Sequence, residues 1–196
     1  MSMVEQRIQQ HFFDAADLLY QSAEALSRPV ADAAQALLGG ITGGGKLLLA
    51  GSGPSQAVAQ AMAAQLVERF ERERPSLAAL ALGTDASLNA SALPAARRLA
   101  LQVQALGAPG DVLVLFGAGE DAASLAEVAA AAQGKDMTVV AFAGPDSPLI
   151  AALGETDVLV SVPHERAARV LEVHLLVAHA LCDVLDLQLM GEQDRA

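Results

Sequence analysis

The chain has 196 residues, 53% of them apolar but only 3% aromatic, with no Trp; this length fits one α/β domain with a sizeable core. The formal net charge of −11 excludes a general electrostatic grip on nucleic acid or on an anionic membrane surface. The lone cysteine, Cys182, excludes an internal disulfide and a multi-cysteine metal site; in the apolar run LLVAHALCDVL it reads as a small buried hydrophobe.

The opening MSMVEQRIQQ has no basic stretch followed by an apolar one, and no apolar run reaches membrane-spanning length, so a soluble, cytoplasmic protein is expected. Residues 3–27 predict one amphipathic helix, with Val4, Ile8, Phe12, Ala15, Leu19 and Ala23 at helical spacing. Arg28-Pro29 is expected to stop it, with a second helix over 30–38 before the GGITGGG turn. A long helix outside the first strand has little sheet to cover. Its stripe therefore predicts contact with another subunit, and with few aromatic residues to build a self-sufficient core, a homotetramer is expected. Residues 1–45 are assigned to assembly, 46–187 to an α/β core and 188–196 to a polar tail.

From Lys46 onward short apolar runs alternate with helical stretches. LLLA (47–50), LAALAL (77–82), DVLVLF (111–116), MTVVAFA (137–143) and DVLVSV (157–162) predict five strands. Their continuous Leu/Val character, without period-2 alternation, indicates strands covered on both faces and hence a parallel sheet. Helices over 55–72, 86–106, 120–133, 147–154 and 165–187 supply the crossovers. The fold class is α/β, a three-layer doubly wound domain whose strand order stays open.

Ligands in such sheets bind beyond the carboxyl ends of the strands. The loops there are GSGPS (51–55), GTDAS (83–87), GAGEDAAS (117–124), GPDS (144–147) and PHERAA (163–168). Gly51 and Gly53 let backbone N–H groups approach an anion, and Ser52 and Ser55 add hydroxyls at the positive end of the following helix. The same residues equally make a plain tight turn. They match neither GxGxxG nor a nucleotide P-loop. Gly117, Ala118 and Gly119 offer backbone groups but no hydroxyl before Ser124. Glu120 and Asp121 read as helix-start capping charges, and both would repel an anionic ligand.

The Gly-Ser loop after the first strand, the long N-terminal helix and the stretches RFERERPSLAALALGTD, ALGAPGDVLVLF, DMTVVAFAG and ARVLEVHLLVAHALCDVLD resemble the SIS (sugar isomerase) family over nearly the whole chain. The branch they are most similar to holds phosphoheptose isomerase and the DnaA initiator-associating protein. RF-x-x-ERPSL and LCD-x-x-D favour the latter. The resemblance implies a flavodoxin-like five-stranded sheet in a homotetramer with pockets at subunit interfaces. It also implies, for the isomerase, a His, a Glu, a Gln and a His that bind a divalent metal and move protons between C1 and C2 of sedoheptulose 7-phosphate. Those positions are Ala61, Gln65, Leu171 and His179 here. Two of them lack a lone pair, and Gln65 is neither a carboxylate base nor an anionic ligand.

The Ser/Thr-rich phosphate loop of that family becomes Gly117-Ala118-Gly119-Glu120-Asp121-Ala122. Each lost bond to a charged ligand costs roughly 1.5–3 kcal/mol, so sugar-phosphate binding should be weak or absent. The family's Asn-Asp before the third strand is missing, and SALPAARR runs a few residues short. The expected function is therefore a non-catalytic tetrameric adaptor, with no metal and no cofactor, that binds a protein such as DnaA. The alternatives are a phosphoheptose isomerase with a diverged site or a phosphosugar-binding sensor. At the C-terminus, Leu185, Leu187 and Leu189 alternate with polar residues. Leu189 and Met190 read either as a docking pair for the protein partner, as the resemblance implies, or as packing against a neighbouring subunit.

Overall fold

The computed structural model describes residues 1–84 and 92–191; the predicted loop and helix over 85–91 and the end of the tail, 192–196, lie outside the described residues. Helix α1 is continuous over Met3–Thr42 and contains Pro29. Its start is a capping box: the Ser2 hydroxyl accepts from the Glu5 N–H, and the Glu5 carboxylate accepts from the Ser2 N–H. The expected break at Arg28-Pro29 does not occur. A proline inside a helix forfeits one backbone bond, but Leu26 on one side of it and Ala33, Ala34 and Leu37 on the other are all buried in the same core. That shared burial keeps the helix continuous through Pro29.

Five strands follow: β1 (Leu47–Gly51), β2 (Ala79–Ala81), β3 (Val112–Gly117), β4 (Thr138–Ala143) and β5 (Val158–Ser161). They pair in parallel in the order β2-β1-β3-β4-β5. The helices between them are α2 (Gln56–Val67), α3 (Ala95–Leu106), α4 (Leu125–Gln133) and α5 (Ala167–Met190). Short 3₁₀ turns at Gly53–Ser55, Glu120–Ser124 and Pro148–Ala152 lead into or replace crossover helices.

Alternate residues of each strand enter opposite cores. Leu47, Leu49, Val112, Val114, Phe116, Val140 and Phe142 pack with α1, α2 and α5. Leu48, Ala50, Leu113, Leu115, Val139 and Ala141 pack with α3 and α4. Burial on both faces is why the strands read as unbroken apolar runs. Strand β2 is shorter than its sequence suggested, three residues at the sheet edge, half-covered at Ala79 and Ala81 and exposed at Leu80. No helix among the described residues is long and apolar enough to cross a membrane.

At the amino ends of the strands, Asp111 accepts from the Lys46 ammonium and from the backbone N–H groups of Lys46 and Ala108. Burial raises its carboxyl, but these bonds outweigh it and hold it below the ordinary 3.8.

Candidate functional site

The strand order reverses between β1 and β3, where successive crossovers leave for opposite sides of the sheet. Such a switch point opens a crevice at the carboxyl ends of the two strands. Here it is a cavity of about 480 Å³ lined by Ser52, Pro54 and Ser55 after β1, Ala118, Gly119 and Asp121 after β3, and Ala167, Ala168 and Leu171 at the start of α5.

Its first wall is rigidly built. The Gly51 N–H donates to the Gln56 side-chain carbonyl, whose amide donates in turn to the Leu82 carbonyl. A Cβ on Gly51 would stand 2.4 Å from the Ser55 carbonyl carbon, so only glycine fits there. Gly53 has φ +49°, the left-handed region that glycine enters freely. Ser55 is buried, and its hydroxyl accepts from the Ala118 N–H at 3.2 Å, which joins the loops after β1 and β3. Ser52 is only 9% exposed, yet its hydroxyl makes no hydrogen bond. A buried hydroxyl without a protein partner on a cavity wall is free to donate to a ligand or to water.

The second wall is different. The 3₁₀ turn Glu120–Ser124 has Gly119, which carries no side chain, at its N-cap, so Asp121 within the turn closes no cap hydrogen bond there. Its carboxylate instead faces the first loop: Oδ2 lies 3.0 Å from where a Cβ on Gly53 would stand.

The structure therefore brings Ser52, Ser55, Ala118 and Gly119 together around one cavity. Gly51 and Gly53 line a smaller one of about 200 Å³ with Gln56, Arg98 and Gln102. Gly117 lines a neighbouring one of about 520 Å³ that also takes Ser147, His164 and Glu165. Ser124 is exposed and donates to the Asp121 carbonyl, outside all three linings.

Ala61 and Gln65 share one face of α2, both half-buried. Gln65 Oε1 accepts from the Cys182 thiol at 3.7 Å, and the His179 ring lies 5.4 Å from that of Phe70. Burial, with the Asp186 charge adding to it, pushes the Cys182 thiol up to about 12, so it is inert as a nucleophile. Of the metal-binding set that the resemblance implied, Ala61 and Leu171 carry no donor. Among the described residues no three His, Cys, Asp or Glu side chains gather as a metal would require. The residues present do not fit that metal.

Beneath this region lies an ion pair that composition and motif could not reveal. Arg74 and Asp186 have side chains only 1% and 2% exposed. The Arg74 guanidinium also donates to the Leu66 and Gln65 carbonyls, both at 2.8 Å, fixing the end of α2 to α5. Leu189 is half-buried and Met190 is 40% exposed, both on the last turn of α5, which continues past the predicted end at 187 to Met190.

The SIS domain profile matches residues 10–144. A curated relative from Methylibium petroleiphilum, named phosphoheptose isomerase, is 54% identical over 203 aligned positions and covers 99% of both chains. Another of that name, from Aromatoleum aromaticum, is 42% identical over 96% of this chain and 98% of its own. The solved phosphoheptose isomerase of Neisseria gonorrhoeae superposes with a TM-score of 0.87 at 37% identity, covering 94% of this chain and 99% of its own. That of Francisella tularensis gives 0.88 at 30%, covering 95% and 99%. These likenesses overturn the expectation of a non-catalytic adaptor: end-to-end relatives carry an enzyme's name, and none of these comparisons points to the DnaA-associating branch.

Proposed function

Since the chain belongs to the SIS domain family and its full-length relatives are named phosphoheptose isomerase, we propose that it is a phosphoheptose isomerase with a diverged site, converting sedoheptulose 7-phosphate to an aldose heptose 7-phosphate. The observation that carries this reading is the 54% identity to the Methylibium protein across 99% of each chain. The phosphate enters the cavity between β1 and β3, where the free Ser52 hydroxyl and the Ser55 hydroxyl donate to it at the positive end of α2. Moving a proton between C1 and C2 requires a side chain that takes it and returns it. His179 is the titratable group at the four positions that the family uses. Gln65 carries an amide, which orients a hydroxyl but does not shuttle a proton. The assembly proposed is a cytoplasmic homotetramer formed through α1, whose Phe12 and Tyr20 are 73% and 79% exposed.

A second reading, a sensor that binds the sugar phosphate without turning it over, is favoured by one observation: Ala61 and Leu171 place methyl groups where the family has donors. One experiment separates the two. Sedoheptulose 7-phosphate is incubated with the protein and followed by proton NMR, alongside a thermal shift. Conversion that disappears in His179→Ala supports the isomerase. A raised Tm without conversion supports the sensor. Neither effect overturns both.

A further inference from the structure

The loop after β1 separates two openings. Ser52 and Ser55 serve the larger, between β1 and β3. The smaller, of about 200 Å³, is lined by Gly51, Gly53, Gln56, Gly83, Arg98 and Gln102. Its polar side chains present donors. The Gln56 carbonyl accepts from the Gly51 N–H and the Gln102 carbonyl from the Gly83 N–H, both at 2.8 Å, so the backbone takes up their acceptor ends. That leaves the Gln102 amide to donate, and the Gln56 amide, which gives one hydrogen to the Leu82 carbonyl, keeps a second.

Arg98 is half-buried and lies one turn before Gln102 on the same face of α3. Its Nη1 donates to the Leu93 carbonyl, and its other N–H groups meet no acceptor among the described residues. Its neighbour Arg97 pairs with Glu127 at 3.1 Å, but no described carboxylate pairs with Arg98 or lines this cavity. Asp121, although close to Gly53, lines the larger opening instead. Arg98 also stands near the amino end of α3, where the helix dipole disfavours a cation. An anion is what this guanidinium lacks.

We propose that the smaller cavity is a binding site for a free phosphate ion, separate from the seat of the sugar phosphate, with Arg98 as its charged anchor. A guanidinium grips a phosphate through two parallel N–H groups. The Gln56 and Gln102 amides approach from α2 and α3, an arrangement that suits a tetrahedral oxyanion better than a planar carboxylate. The small volume admits an ion where the larger cavity, of about 480 Å³, admits an ester. The site stands independently of the reaction assigned above.

The test is calorimetric titration of inorganic phosphate into the wild type, Arg98→Gln, Arg98→Lys and Ser52→Ala, at constant ionic strength held with chloride. The wild type should show a binding event that Ser52→Ala keeps and Arg98→Gln weakens about tenfold or more, as loss of a charged donor requires. Arg98→Lys keeps the charge without the fork and should fall between the two, which carries the test if Arg98→Gln does not fold. Absence of any event in the wild type overturns the proposal, and so does an event undiminished in both Arg98 variants. An event abolished by Ser52→Ala puts the ion in the larger cavity, which overturns the separate site and leaves the proposed function standing.

Discussion

Arg74 and Asp186 are almost wholly removed from water, and burying a charge is tolerable only while its partner remains. Arg74→Met should therefore cost about 3–5 kcal/mol of unfolding free energy in a urea titration, whereas Arg74→Met combined with Asp186→Leu should recover most of it. His174 raises the opposite issue. Its ring is fully buried beside Phe116 and Phe142, with neither nitrogen in a hydrogen bond of normal geometry. Burial lowers it from 6.5 to about 4, against a weaker pull from the Ala143 backbone toward the charged form. The folded state thus stays neutral while the unfolded chain takes up a proton from pH 6.5 downward. The resulting penalty is absent above pH 6.5, grows as pH falls and is complete near 4, at roughly 3 kcal/mol. Stability curves at stepped pH should show this slope in the wild type and lose it in His174→Phe. Neither residue was legible beforehand: a sequence shows that an Arg and an Asp exist, not that 112 positions apart they meet.

Helix α1 shows how an element can overrule its local signals. Pro29 predicted a break, yet burial in one core on both sides of it keeps the helix continuous. Pro29→Ala restores the missing N–H donor and should raise stability by about 1–3 kcal/mol in thermal or urea melts. The apolar stripe expected from periodicity at the other end of the same helix includes Ile8 and Phe12, 53% and 73% exposed. Ile8→Asp with Phe12→Asp should convert the proposed tetramer to smaller species in light scattering without unfolding the α/β core. The turn after β1 was legible because its glycines are sterically necessary. Gly51→Ala should fail to fold or lose several °C in Tm, since its Cβ would meet the Ser55 carbonyl group. The turn after β3 was less legible. Asp121 in the sequence looks like an ordinary helix cap, and only the approach of two loops distant in the chain turns it toward the cavity.

For the whole molecule, the five strands and their parallel pairing followed from unbroken Leu/Val runs, while their order could not. The order β2-β1-β3-β4-β5 is a property of how crossovers stack, and it alone locates the crevice. Two titrating groups act together in acid. Asp111, held below 3.8 by its Lys46 contacts, contributes stability that is present above that value and is lost as pH falls through its folded value. The His174 penalty is already large by then. Stability should consequently fall on acidification below pH 6.5, and the buried Cys182 thiol, pushed up to about 12, should give a matching loss above its ordinary value of 9.0. The same scale explains the error about activity. Emptied catalytic positions argue against proton transfer at one spot, whereas identity along the full length speaks for the lineage of the entire chain.

The hydrogen bond from the Ala118 N–H to the Ser55 hydroxyl supplies a clock for the crevice. An amide whose acceptor belongs to the opposite loop exchanges its proton with solvent only when the two loops part. Deuterium uptake at Ala118 therefore reports the opening frequency of the cavity mouth directly. It should slow when a ligand bridges the loops, and it should quicken in Ser55→Ala while the β3 amides behind it, at Val114 and Leu115, keep their protection.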